Sequence, residues 1–267
     1  MDKRKGKPMK QGILIVSFGT TYRETREKNI EKIAQSVREA FPGRAVYQAY
    51  SSNIVRSVLK KRDGIVISNV EEALRQMARD GVTNAAVLPT HVIDGVENSK
   101  MQCTIKECSE LFSEIRTARA LLGNEEDYPL VAGALWQEIG KTAGNDPVVL
   151  MGHGSAHEAD KSYEELEKQL RARSGKEIYI ATVEGTVTIE NVIGRMNASV
   201  EKRKRVLVLP FMLVAGDHAV NDMAGEKDSF ASKLRAEGYK PECVLKGIGE
   251  YESIRNIYIH HLREAIG

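Results

Sequence analysis

Residues 12–20 read GILIVSFGT and residues 147–155 read PVVLMGHGS. Each is a short apolar, β-branched run closed by a glycine turn, the signature of a buried strand passing into a helix. A second pair follows in the same order. Val87–Glu97 (VLPTHVIDGVE) aligns without a gap on Val208–His218 (VLPFMLVAGDH). A weaker third pair, Tyr47–Ser52 (YQAYSS) and Tyr179–Glu184 (YIATVE), ends the second strand of each half. The offsets fall steadily at 135, 132 and 121 residues (18 to 153, 52 to 184, 97 to 218), as shorter loops in the second copy require. The chain therefore reads as an internal duplication.

Between these landmarks, strand-like runs alternate with longer amphipathic segments, the pattern of an α/β fold with parallel strands. Strands are expected near Ile13–Phe18, Ala45–Tyr50, Asn84–Pro89 and Ile115–Ala120, then near Val148–Met151, Glu177–Val183, Arg205–Pro210 and Glu242–Lys246. The first half's helices are expected over Tyr22–Ala40, Ile54–Lys61, Val70–Arg79 and Asn98–Phe112, with a connecting helix over Asp127–Lys141. The second half's are expected over Glu158–Ala172, Ile189–Asn197, Lys227–Glu237 and Glu250–Ala265. Thr21-x-x-Glu24 and Ser155-x-x-Glu158 have capping-box spacing. The expected architecture is two Rossmann-like lobes, each with a parallel four-stranded sheet, and a cleft between them. The lobes span residues 11–143 and 144–267, with the last helix packing back on the first.

Composition narrows the function classes. The 267 residues are 42% hydrophobic and 28% charged with a formal net charge of +2, ordinary for a globular protein and without a basic stripe for nucleic acid. No apolar run reaches transmembrane length, and Ile13–Phe18 is too short for a signal-peptide core. Three cysteines without a CxxC pair fit a reduced, cytoplasmic compartment. Lys3, Arg4, Lys5, Lys7 and Lys10 read as a solvated, mobile basic tail. Oligomeric state is not readable, a homo-oligomer included.

In this register His153, Glu184 and His218 end the first three strands of the second half. Neighbouring parallel strands lie about 4.8 Å apart, so their end residues can converge at the edge where open α/β sheets bind ligands. Two imidazoles and a carboxylate suit a divalent first-row metal, and the same imidazoles can accept protons near neutral pH. Gly152 and Gly154 allow close approach around His153. His91, His157, His260 and His261 read as structural, solvated or supporting residues. His157 stands where a dinucleotide GxGxxG needs glycine, and G-x-x-x-x-G-K-[ST] and G-x-S-x-G are both absent.

The segments VSFGTTY (Val16–Tyr22), KNI (Lys28–Ile30), RDGI (Arg62–Ile65), MGHGS (Met151–Ser155) and LVAGDHAVNDMA (Leu213–Ala224) resemble those of the anaerobic-pathway cobaltochelatases of cobalamin biosynthesis. These are ATP-independent class II chelatases, similar in fold to ferrochelatase, and the resemblance runs from Gly12 to Ala265. It implies Co2+ insertion into sirohydrochlorin or precorrin-2, a tetrapyrrole porphyrin relative, with no permanently bound cofactor. It also implies His153, Glu184 and His218 as metal ligands, with Glu97 facing the cleft from the first lobe as a catalytic partner of the histidines. Sister chelatases using Fe2+ or Ni2+ share these residues, as would a non-catalytic haem or tetrapyrrole binder that kept the scaffold. A bilobed solute-binding protein would normally bring a secretion signal. Sirohydrochlorin's eight carboxylates make Arg23, Arg26, Arg56 and Lys60 candidate contacts.

Overall fold

The computed structural model describes residues 10–155, 160–199 and 203–267. The tail before Lys10, His157 and Glu158, the second residue of the expected capping pair, fall outside the described residues.

The first half contains β1 (Gln11–Ser17), α1 (Arg23–Lys28), α2 (Ile30–Ala40), β2 (Ala45–Tyr50), α3 (Asn53–Asp63), α4 (Val70–Arg79), β3 (Asn84–Pro89), α5 (Val96–Glu107), β4 (Glu114–Thr117) and α6 (Asp127–Ala143). The second contains β5 (Val148–Gly152), α7 (Lys161–Ser174), β6 (Ile178–Thr182), α8 (Ile189–Asn197), β7 (Arg205–Pro210), a π-helical turn (Ala219–Met223), α9 (Phe230–Ala236), β8 (Lys240–Cys243) and α10 (Glu252–Ile266). The strands form two parallel sheets, ordered β2-β1-β3-β4 and β6-β5-β7-β8. This is the expected duplicated α/β fold.

The duplication extends to individual hydrogen bonds beyond the strands. Ser52 N–H donates to the Phe18 carbonyl at 3.2 Å, and Glu184 N–H donates to the His153 carbonyl at 2.8 Å. Thr90 N–H to Val16 and Phe211 N–H to Met151 are a second matched pair, both 2.8 Å. Leu122 N–H to Val92 and Gly249 N–H to Leu213, at 2.9 and 3.0 Å, are a third.

The central strands β1 and β5 are almost wholly buried, as parallel strands covered on both faces must be. One apolar core includes Ile13, Ile15 and Leu88 of the first sheet and Leu150, Ile180 and Leu209 of the second, with α6 and α10 residues among them. Helix α10 packs against α2, β3 and β4, while α6 lies along α7 and α10. Tyr258 of α10, fully buried, donates its hydroxyl to the Thr90 carbonyl at 3.0 Å. No described helix is long and apolar enough to cross a membrane.

Several local expectations need correction. The helix expected over Tyr22–Ala40 is two helices, broken at Asn29, whose backbone sits at φ −113°, ψ −72°. The break admits the 247–249 turn of the other half. An added Cβ on Gly247 would lie 2.6 Å from the Asn29 Oδ1 atom, so glycine is needed there. Thr21 does not cap α1. Tyr22 occupies the cap position without a side-chain bond, and Glu24 pairs with Lys28. β4 runs Glu114–Thr117 rather than to Ala120, although the chain beyond it stays beside the end of β3, with Ala118 N–H donating to the Val87 carbonyl at 2.8 Å and Leu121 N–H to the His91 carbonyl at 3.0 Å. Helix α9 begins at Phe230 rather than Lys227, since Ser229 caps it by accepting from Ser232 N–H at 3.0 Å.

Candidate metal-holding active site

The order β6-β5-β7 makes the carboxyl end of β5 a switch point, where successive connections leave to opposite sides and open a crevice. His153 directly follows β5, Glu184 follows β6, and His218 opens the π-helical turn after β7. The His153 and His218 rings meet edge to face, centroids 4.9 Å apart and planes at 89°. His153 Nδ1 lies 3.9 Å from Glu184 Oε2. The backbone bond from Glu184 N–H to the His153 carbonyl fixes these two residues side by side.

Local sequence dictates this projection. Gly152 lies against the Tyr163 ring, and an added Cβ would stand 2.5 Å from Cε1. Gly154 has φ +85°, a left-handed conformation favouring glycine, and a Cβ there would lie 2.8 Å from the Gly185 Cα. The flanking glycines thus pack inward while the His153 side chain stands 43% exposed. Burial pushes the Tyr163 hydroxyl up to about 12, and its oxygen accepts from Gly154 N–H at 3.4 Å.

Each imidazole has an acceptor beside its Nδ1. His153 Nδ1 lies 3.2 Å from the Gly154 carbonyl, which can only accept, so the proton resides on Nδ1. His218 Nδ1 lies 2.7 Å from Asp222 Oδ2 and donates to that carboxylate. In each ring Nε2 keeps its lone pair, as a metal-ligating or proton-accepting histidine requires. Among the described residues no three His, Cys, Asp or Glu side chains stand grouped closely enough to hold a metal ion as they lie. The pairwise contacts make an open cluster.

Glu97 does not join this cluster. It lies in the first turn of α5, and its carboxylate accepts from Lys100 at 2.8 Å. The adjoining loop does reach across: a Cβ on Gly95 would stand 3.8 Å from Ser155 Oγ, in the turn that carries His153. His91 is lodged at the end of β3 with both ring nitrogens buried and unpartnered. Burial pushes its pKa down, partly offset by Asn98, Glu97 and Asp94. His261 is structural, 2.8 Å from the buried Asp127, whereas His260 is exposed beside Glu264. Arg23 pairs with Glu27 on the surface. Arg56 binds Asn53, the Ile67 carbonyl and Glu72 within its own half, which leaves it a poor receptor for a substrate carboxylate. Supporting residues that the motifs did not disclose are Tyr163, Asp160 and Asp222. Only Asp222 has a local signal, its helical i, i+4 spacing from His218.

Two parallel α/β units, with His153 paired to His218 and to Glu184 at one switch point, share the architecture of the two-lobed chelatases. The structure of SirB from Bacillus subtilis with Fe3+ superposes with a TM-score of 0.67 at 15% identity, covering 96% of each chain. The sirohydrochlorin chelatase SirB from Bacillus subtilis subspecies spizizenii, in complex with cobalt, gives 0.65 at 14% identity over 96% of this chain and 95% of that one. The family model "Cobalt chelatase (CbiK)" matches residues 11–267, and the chain belongs to that family. It is 33% identical to the sirohydrochlorin cobaltochelatase of Salmonella typhimurium over 97% of both chains. It is likewise 33% identical to the sirohydrochlorin cobaltochelatase CbiKC of Nitratidesulfovibrio vulgaris, over 96% of this chain and 91% of that one. The resemblance carried by the GHG and GDH segments is thereby borne out, and the protein is a metal chelatase.

Proposed function

We propose that the protein inserts Co2+ into sirohydrochlorin, with His153, His218 and Glu184 receiving the ion and His153 taking a pyrrole proton. The observation that carries this reading is the His153–His218 pair, rings 4.9 Å apart at the β5 switch point, each with an acceptor beside Nδ1 and no hydrogen-bond partner at Nε2 among the described residues.

The reaction breaks two pyrrole N–H bonds, forms four cobalt–nitrogen bonds and releases two protons. Co2+ is a substrate, so its holding site must let it go. Two imidazoles and one mostly exposed carboxylate provide such an incomplete shell. Nε2 of His153 cannot bind metal and accept a proton at once. The ion therefore passes onto the ring nitrogens as the His153 lone pair becomes free to take the proton. Glu97, on the other side of the cleft, would exchange its Lys100 contact for the second proton or for the arriving ion.

The test is absorbance-monitored Co2+ insertion into sirohydrochlorin by His153→Ala and His218→Ala. Each is expected to lose about 10²–10⁴-fold in rate, the usual contribution of a positioned acid–base group. Full activity in both variants would overturn the assignment. A parallel panel of Fe2+ and Ni2+ identifies the metal by kcat/KM for each ion, since binding strength alone follows the Irving–Williams order.

A further inference from the structure

Asp160 is one of only two acidic side chains buried among the described residues, at 5% exposure; Asp127 is the other. It immediately precedes α7, where an aspartate ordinarily accepts from its own helix's free N–H groups. Asp160 makes no such bond. Its carboxylate instead turns to two separate loops. Oδ1 accepts from Ser155 N–H at 3.3 Å, and Oδ2 accepts from Thr186 N–H and Thr186 Oγ1, each at 2.7 Å.

Ser155 stands two residues after His153, and Thr186 two residues after Glu184. The carboxylate thus ties the two loops together at equal distance along the chain from each candidate ligand. Gly185 lies directly against it, and no side chain larger than hydrogen fits there. The first half has no counterpart. Gly19, which matches Gly154, lies against the Tyr50 ring, and the positions equivalent to the ligands are Phe18 and Ser52. The clamp occurs only in the half that carries the candidate metal ligands.

We infer that Asp160 is a positioning residue for cobalt binding, setting the separation of His153 and Glu184 so that an arriving ion meets both together. This rests on the ligand reading proposed above. Outer residues that orient metal ligands typically contribute 10–100-fold in affinity, and Asp160 acts on two ligand loops through one carboxylate.

The experiment titrates the full chain with Co2+ alone, following the visible absorption of the bound ion. Steady-state kinetics are then measured with each substrate varied separately. Asp160→Asn is expected to weaken Co2+ binding about 10–100-fold and to raise KM for Co2+, leaving KM for sirohydrochlorin unchanged. Thr186→Val, which removes one donor and keeps the charge, should shift both Co2+ measures in the same direction by less, and Thr186→Ser should restore them. Wild-type Co2+ binding by Asp160→Asn and Thr186→Val, with binding lost in His153→Ala, overturns the clamp but leaves the ligand assignment standing. Wild-type binding by His153→Ala and Glu184→Gln overturns the ligand assignment itself. Equal losses toward both substrates, with a lowered melting temperature in Thr186→Val, would assign Asp160 to folding alone and also overturn the inference.

Discussion

Asp222 accepts the Nδ1 proton of His218 at 2.7 Å, one helical turn along a π-helical segment. Such a carboxylate fixes the tautomer and aims Nε2. Asp222→Leu is therefore expected to weaken Co2+ binding about 10–100-fold while leaving thermal stability near wild type, because the carboxylate is 44% exposed. Calorimetric titration with Co2+ and a melting curve check both halves of the statement. The histidines themselves were legible in the sequence, since glycine turns and strand ends are local patterns. Their supports were not equally so. Asp222 shares a helical turn with its partner, whereas Asp160 acts on Thr186, 26 residues away, and nothing local announces that pairing.

The turn between β5 and α7 shows what a single backbone conformation contributes. Gly154 at φ +85° has the Gly185 backbone against it, so neither a rotamer change nor a flexible neighbour can admit a methyl group. Gly154→Ala is expected to cost about 1–3 kcal/mol from backbone strain, and more from the collision. It should also separate the His153 and Glu184 loops. Urea denaturation and Co2+ insertion rate should fall together; a variant of wild-type stability would count against this packing. Strand positions were readable at this scale because buried parallel strands are continuous apolar runs. The α1–α2 break was hidden. The 247–249 turn packs against Asn29 at that break from more than two hundred residues away in the chain, a contact no local pattern announces.

Across the whole molecule, a buried ionic group ties α10 to the first half. Asp127 accepts from Arg119 Nε at 2.9 Å and from His261 Nε2 at 2.8 Å, and Arg119 also pairs with Glu264. Burial alone would raise the Asp127 pKa, but the hydrogen bonds from His261 and Arg119 outweigh it and hold it at about 2. A depressed carboxylate stabilises the fold above its unfolded value of about 4 and loses that contribution as pH falls towards 2. The shift corresponds to about 2 kcal/mol. Asp127→Asn should flatten the stability-versus-pH curve in that window, measured by denaturant unfolding at successive pH values. Asp127→Ala leaves the buried His261 Nε2 without its acceptor and Arg119 with Glu264 alone, and is expected to cost about 3–5 kcal/mol.

The position of α10 has a consequence for biogenesis. A ribosome releases a chain from its amino end, yet the layer over β3 and β4 is supplied by residues 252–266, which emerge long after the strands they cover. Until then Tyr258 has not reached Thr90, and the apolar face between α2 and α6 is open. Nascent chains that have completed the first sheet should therefore remain protease-sensitive and bind chaperones until α10 has emerged. Arrested chains ending before residue 252 should be digested in their amino-terminal half, and full-length chains should resist. Vectorial synthesis makes the first sheet wait for a helix translated after the whole of the second.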